Sequence, residues 1–224
     1  MKNTILVFTM LMASLTFAQK TIEKTIGDFN ELKVYDLIQV ELVKANENKA
    51  IITGSNMSDV VLNNKNGTLK IKMNIGKIFD GTKSKVTLYY KNLDVIDANE
   101  GAKINATETI KQYEIDLRAQ EGGSIIVPID VTYCNIKAVT GGIIETTGTS
   151  KSQKVSLLTG GIYNGETLQT EKTDVSINAA GEAHVKASKI VDAKIRAGGD
   201  VYVYGNPETI NENTAFGGRV KKMD

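Results

Sequence analysis

Two short segments in the last third of the chain, His184-x-Lys186 and Tyr202-x-Tyr204, set aromatic rings beside hydrogen-bond donors at a spacing of two. Side chains two apart on a β-strand point to the same side, so each pair would share one face if both segments are strands. Aromatic rings beside polar donors are what a carbohydrate-binding surface uses, and His184, Lys186, Tyr202 and Tyr204 are the candidate binding patch. A plainer reading also applies, since tyrosine is a common strand residue on solvated sheets.

Other chemistries find less support. Glycoside hydrolysis needs two carboxyl groups roughly 5 to 10 Å apart on one face. Glu145 and Glu182 would fall in neighbouring columns, and Asp116 has no acidic partner in its own. The sole histidine, His184, lies on a strand exposed beside lysine, with no serine or aspartate arranged as a triad. One histidine, one cysteine and no Asp-x-Asp-Gly loop leave no metal signature. Cys134 sits where a strand would turn it inward, as a small apolar residue and not an exposed nucleophile. The sequence therefore assigns no catalytic, cofactor-binding or metal-ligating residue.

The elements that would carry the patch are announced by a glycine step returning roughly every 19 or 20 residues, as in Gly122-Gly123, Gly141-Gly142, Gly160-Gly161, Ala180-Gly181 and Gly198-Gly199. Alternating apolar residues flank each step. After the step they form the columns Ile104, Ile125, Ile144, Tyr163, Ala183, Val201 and Ala106, Val127, Thr146, Gly165, Val185, Val203. Before the step the columns are Ile115, Cys134, Val155, Val175, Ala193, then Ile96, Leu117, Ile136, Leu157, Ile177, Ile195, then Ala98, Ala119, Ala138, Thr159, Ala179, Ala197. Residues two apart share a side, so all of these point inward. Outward strips would run Asp97, Arg118, Lys137, Leu158, Asn178, Arg196 and Asn105, Ile126, Glu145, Asn164, His184, Tyr202. Bulky Tyr163 has Gly165 and Ala183 as small neighbours, which a close-packed interior requires. The glycines would mark corners, where φ is positive or where stacked coils leave no room for a Cβ.

A constant period with strand alternation describes an all-β protein, a single-stranded parallel β-helix with coils of about 19–20 residues. An antiparallel sandwich with glycine hairpins is the alternative, but it has no need of one constant period. Residues 19–92 carry strands without the step, separated by the turn Asn64-Lys65-Asn66-Gly67 and a polar loop at Gly76 to Ser84. They read as less regular first coils covering an open end, with 93–224 as regular coils of the same domain. Pro128 and Pro207 fall after strands or at an edge.

Residues 1–18 read as a signal peptide: Lys2, an apolar run from Ile5 to Phe17, and Thr16-Phe17-Ala18 before Gln19. The run is short for a membrane span, and export to the periplasm, cell surface or medium is the expectation. The formal charge of +1 argues against nucleic acid as a partner, and the tail Arg219, Lys221, Lys222 is the locally basic stretch.

Several segments carry a family resemblance: Phe29-x-x-Leu32-x-Val34 before Ile38-x-Val40-x-Leu42, Leu69-x-Ile71 after Asn66-Gly67, and Ala197-Gly198-Gly199-Asp200-Val201-Tyr202-Val203-Tyr204-Gly205-Asn206-Pro207 with Gly217-Gly218-Arg219-Val220 behind it. On these the chain resembles the "putative auto-transporter adhesin, head GIN domain" proteins, a domain of unknown function common in Bacteroidetes. The resemblance implies a secreted or envelope protein with a right-handed single-stranded β-helix, and it brings no catalytic residues. The expectation is non-catalytic binding of glycan or cell-surface protein through exposed columns, with no cofactor; a polysaccharide-acting hydrolase or lyase is the alternative.

Overall fold

The structure is a computed structural model that describes residues 20–223; the expected signal peptide lies outside them. Nine short strands open the chain: β1 (Ile22–Thr25), β2 (Glu31–Val34), β3 (Gln39–Lys44), β4 (Lys49–Gly54), β5 (Val60–Lys65), β6 (Thr68–Met73), β7 (Ser84–Tyr90), β8 (Val95–Ala98) and β9 (Lys103–Ala106). Five long ones follow: β10 (Ile110–Gln120), β11 (Ser124–Val139), β12 (Ile143–Leu158), β13 (Gly161–Ile177) and β14 (Gly181–Ile195). The last are β15 (Asp200–Tyr204), β16 (Thr209–Thr214) and β17 (Arg219–Lys222). From β8 onward every pairing is parallel and joins one coil to the next, which makes the all-β chain a β-solenoid.

The first column after the step is the one read from sequence: Ile104, Ile125, Ile144, Tyr163, Ala183 and Val201 stand in register, all fully buried. Before the step the register differs by two from Cys134 onward. Ile136 faces Val155, not Leu157; Ala138 faces Leu157; and Cys134 faces Gln153. A slip of two keeps the same face inward, so Cys134, Val155 and Leu157 are buried as expected although their partners differ. The small column read as inward ends with Ala138, and Thr159, Ala179 and Ala197 are exposed at the corners. The outward strip accordingly runs Arg118, Lys137, Ser156, Ser176, Lys194. Asp97, read as outward, is buried at 3% exposure, hydrogen-bonded by Asn99 and ion-paired with Lys33. Pro128 lies inside β11 opposite Thr147 and not at a strand end; beside it the sheet is already irregular at Gly148 and at the bulge between Glu145 and Thr147.

At the corner Val139 to Gly142 the two glycines answer different demands. The Gly142 N–H donates to the Val139 carbonyl (3.0 Å), with φ of 49° at Thr140 and 71° at Gly141, a primed turn. Gly142 follows with no steric freedom at all: a Cβ there would stand 2.1 Å from the Ala119 carbonyl oxygen of the preceding coil. The first coil makes the same corner without glycine, at Asp36 (φ 59°) and Leu37 (φ 62°).

The N-terminal coils are stacked out of sequence order. β2 lies between β6 and β8, and β3 between β7 and β9, all parallel, so the first coil of the chain is second in the stack. Antiparallel strands close that end: β5 on β6, β4 on β7, and β1 on β4. The turn joining β5 to β6 is the expected Asn66-Gly67, with φ of 53° and 78°. At the other end three inward columns become polar, with Ala193 meeting Glu212, Ile195 meeting Thr214 and Val203 meeting Lys222, while Ile210 and Val220 continue the columns of Val191 and Val201. The more polar last coil reduces the apolar area left open at that end.

One hydrophobic cluster runs from Ile26 to Val203. Each large aliphatic side chain in it is worth about 1.5–3 kcal/mol. A chain of polar groups crosses its middle: Thr146 Oγ1 to Tyr163 OH (2.7 Å), Tyr163 OH to Gln153 Oε1 (2.7 Å), Gln153 Nε2 to Thr173 Oγ1 (2.9 Å), Thr173 to Thr170 (2.9 Å), and Thr170 Oγ1 to the Lys186 carbonyl (2.6 Å). One hydrogen per hydroxyl suffices if each donates in that direction, so Thr146, Tyr163, Thr173 and Thr170 are all satisfied.

Candidate functional site

Three strands side by side, β14, β15 and β17, place the candidate patch. Outward positions of the same column stack one coil apart, so Asn164, His184, Tyr202 and Lys221 form one ladder. The His184 and Tyr202 rings are 4.5 Å apart at their centroids and nearly parallel, at 14°. Lys221 Nζ lies 4.9 Å from the Tyr202 centroid, on the strand opposite His184, so both faces of Tyr202 are covered within the chain. What the ladder shows to solvent is its edge, with the Tyr202 hydroxyl and the Lys221 ammonium one coil repeat apart.

His184 is half-buried, not exposed, and both its nitrogens are engaged. Nε2 lies 2.8 Å from Glu182 Oε1, and Nδ1 lies 3.2 Å from Tyr204 OH. Lys186 is in register with Tyr204 on the same outward side. The four predicted residues are thus brought together, with Glu182 and Lys221 added. Lys221 was legible, for it follows Gly218 by three as Tyr202 follows Gly199. Beside the ladder, Glu182 faces Asp200, which accepts two hydrogen bonds from Arg219 (2.6 and 2.7 Å). The Arg219 guanidinium holds the Asp200 carboxyl below the usual aspartate range.

A second aromatic group had no sequence signal. Tyr113 and Tyr133 meet edge to face at 5.3 Å, 67% and 41% exposed, beside a hollow lined by Asp94, Gln112, Glu114 and Asp116. Cys134, by contrast, is 1% exposed, and burial pushes its thiol far above the ordinary range, with the Asp116 charge adding to the effect. A thiol so held does not supply a nucleophilic thiolate. Among the described residues no group of three or more His, Cys, Asp or Glu side chains is placed to hold a metal ion. No helix among them is long and apolar enough to cross a membrane.

The sequence profile of the family described as "Putative auto-transporter adhesin, head GIN domain" matches residues 28–207, from the antiparallel end through Pro207 after β15, and so includes His184 and Tyr202 but not Lys221. The chain belongs to this family. Several solved structures share the fold of this head GIN domain at low identity. A putative adhesin from Bacteroides fragilis superposes with a TM-score of 0.84 at 15% identity, over 93% of this chain and 98% of that one. A putative adhesin from Parabacteroides merdae gives 0.72 at 16%, over the same shares of each chain. A protein of Parabacteroides distasonis described as a putative lipid binding protein gives 0.72 at 21%, again over 93% and 98%. At these identities the likeness is one of fold. No curated protein matches the chain significantly.

Proposed function

We propose that this head GIN domain is a non-catalytic, adhesin-like module of the cell surface or envelope that binds glycan along the ladder of His184, Tyr202 and Tyr204, with Lys186 beside it. The observation that carries the reading is the ring geometry: His184 and Tyr202 are stacked at 4.5 Å, and Glu182 and Tyr204 fix the imidazole. Such a ladder offers preorganised donors and acceptors at a regular spacing, and their low freedom reduces the entropy lost on binding a hydroxyl-rich chain. Recognition is by hydrogen bonds from ring edges, because the Tyr202 faces are already occupied. A catalytic use of His184 is disfavoured, because both its nitrogens are engaged by Glu182 and Tyr204.

The test is a glycan array probed with the protein and with two double variants, Tyr202→Ala/Tyr204→Ala and Tyr113→Ala/Tyr133→Ala, each checked for an unchanged circular dichroism spectrum. Binding lost in the first and kept in the second supports the ladder. The reverse pattern moves the site to Tyr113 and Tyr133, whose rings are more open. No binding to any glycan overturns the reading, and new reducing ends in the same samples would establish an enzyme instead.

A further inference from the structure

We propose that the loop joining β6 to β7 docks the protein on an anionic lipid surface. This inference is independent of the glycan reading and uses the opposite end of the solenoid. The segment Gly76 to Ser84, expected to be polar, presents Ile78 (53% exposed) and Phe79 (58%) to solvent, with Ile75 (88%) just before it. Single exposed apolar residues are ordinary, but three within five positions on one loop are not.

The exposure is built in. The loop replaces the tight corner of the other coils with two 3-10 turns, Ile75–Lys77 and Gly81–Lys83. The buried Asp36 carboxylate accepts the N–H of Met73 (2.9 Å) and of Phe79 (3.2 Å), while the Asp36 carbonyl accepts that of Gly81 (3.1 Å). Asn56 Nδ2 donates to the Asp80 carbonyl (2.9 Å). Phe79 is held at φ +61°, a conformation that disfavours a bulky residue and persists only where the surroundings enforce it. The loop is therefore fixed with its apolar side chains outward.

Positive charge predominates around it, although Asp59 and Asp80 also lie at the loop. Between residues 60 and 90 the sequence has Lys65, Lys70, Lys72, Lys77, Lys83 and Lys85 against the single acid Asp80, in a chain whose formal charge is only +1. The C-terminal tail is thus not the only basic stretch. Lys85 pairs with Glu41 and Lys77 lies 3.8 Å from Asp80; Lys65, Lys70, Lys72 and Lys83 have no carboxylate partner among the described residues. Lys70 and Lys72 line a hollow of about 290 Å³ together with Ile75 and Ile78. The same hollow holds two carboxyl groups: Asp36, whose oxygens accept the loop amides, and Glu100, whose carboxyl is pushed above the ordinary glutamate range by burial and the Asp36 charge.

Apolar tips among flexible lysines suit a fluid, negatively charged interface, where the tips enter the acyl boundary and the ammonium groups stay at the headgroups. A protein partner fits less well, since lysine is depleted from the cores of protein interfaces.

The experiment is co-sedimentation with vesicles of phosphatidylcholine containing phosphatidylglycerol, against phosphatidylcholine alone. The protein begins at Gln19, because the apolar run before it would itself bind lipid, and every described strand and core residue lies beyond it. Binding is expected only with phosphatidylglycerol and is weakened by salt. Lys70→Gln/Lys72→Gln should weaken it roughly thirtyfold, and Ile75→Ser/Ile78→Ser should abolish it. The chain has no tryptophan, so Phe79→Trp adds a unique reporter whose emission should shift to the blue on vesicle addition. No sedimentation with phosphatidylglycerol, sedimentation unchanged in both double variants, or sedimentation without the blue shift would each overturn the proposal. The double variants alter exposed side chains only, so the test survives a folding failure of Phe79→Trp.

Discussion

Gly165 lies against the ring of Tyr163: a Cβ at position 165 would stand 2.5 Å from the tyrosine Cζ and hydroxyl oxygen. The largest fully buried side chain in the protein thus occupies space that glycine leaves open, and Ala183 in the next coil leaves room on that side. Gly165→Ala should destabilise the fold by about 1–3 kcal/mol through overpacking. The penalty should shrink in a Tyr163→Val background, a coupling measurable as a double-mutant cycle by urea unfolding. Additive effects would mean that the two residues do not compete for that space.

Tyr163→Phe keeps the ring and removes the hydroxyl between Thr146 and Gln153. Two buried polar groups then lose a partner, at a cost of about 1–3 kcal/mol. The loss is readable as a lower urea midpoint with an unchanged slope.

Gly141 and Gly142 should respond differently to alanine. At Gly141 nothing lies within 4 Å of a new Cβ, so only the positive φ is penalised, by about 1–2 kcal/mol. At Gly142 the Cβ collides with backbone, and a loss upwards of about 3 kcal/mol or no soluble protein is expected. Thermal unfolding of the two variants compares them directly.

Cys134 should resist thiol reagents in the native protein and react fully in denaturant, because burial raises its thiol and blocks access. Rapid labelling of folded protein would contradict the packing described.

Asp200 gives a pH dependence of known sign. Its folded pKa is depressed, chiefly by the Arg219 hydrogen bonds, so it adds stability above the ordinary aspartate value and loses that contribution as pH falls through the folded value. Arg219→Gln should flatten the fall in stability between about pH 5 and pH 2. The Asp200 carboxyl should titrate nearer the ordinary value by NMR.

His184→Phe preserves a stacked ring and deletes the two nitrogens that meet Glu182 and Tyr204. Glycan affinity should drop by about tenfold or more with little change in unfolding temperature. Retained affinity would assign recognition to the tyrosines alone.

Much of this was legible because the glycine step and the two-residue alternation are local. Most inward positions, the corners, the space beneath Tyr163 and the grouping of His184 with Tyr202 follow from spacing; Thr159, Ala179 and Ala197 do not, because the chain leaves the strand at the corner before it reaches them. The partner assignments before the step failed because apolar residues were matched by type: Leu157 stands three before Gly160 as Ala138 stands three before Gly141, and only the glycine distance keeps the register. Gln153 and Thr173 were missed as core because a polar side chain shows inward only when its partners are known. The corner at Asp36-Leu37 lacks glycine, and the pairing of β3 with β9 leaves no periodic trace. Ile78 and Phe79 were hidden by the polar residues around them.

The out-of-order start sets a schedule for folding. In the long-stranded region, bonded neighbours such as Asp130 and Thr149 or Asp192 and Asn211 are 19 positions apart, so each coil can settle on the last with little loop to close. The Asn99 side chain reaches Val34 across 65 positions, and the first coil has to wait for two later ones before it has a neighbour on both sides. During synthesis the earliest residues to emerge therefore stay without a full set of neighbours until β8 and β9 have followed them, and the coils from β10 onward are then laid on a start already closed.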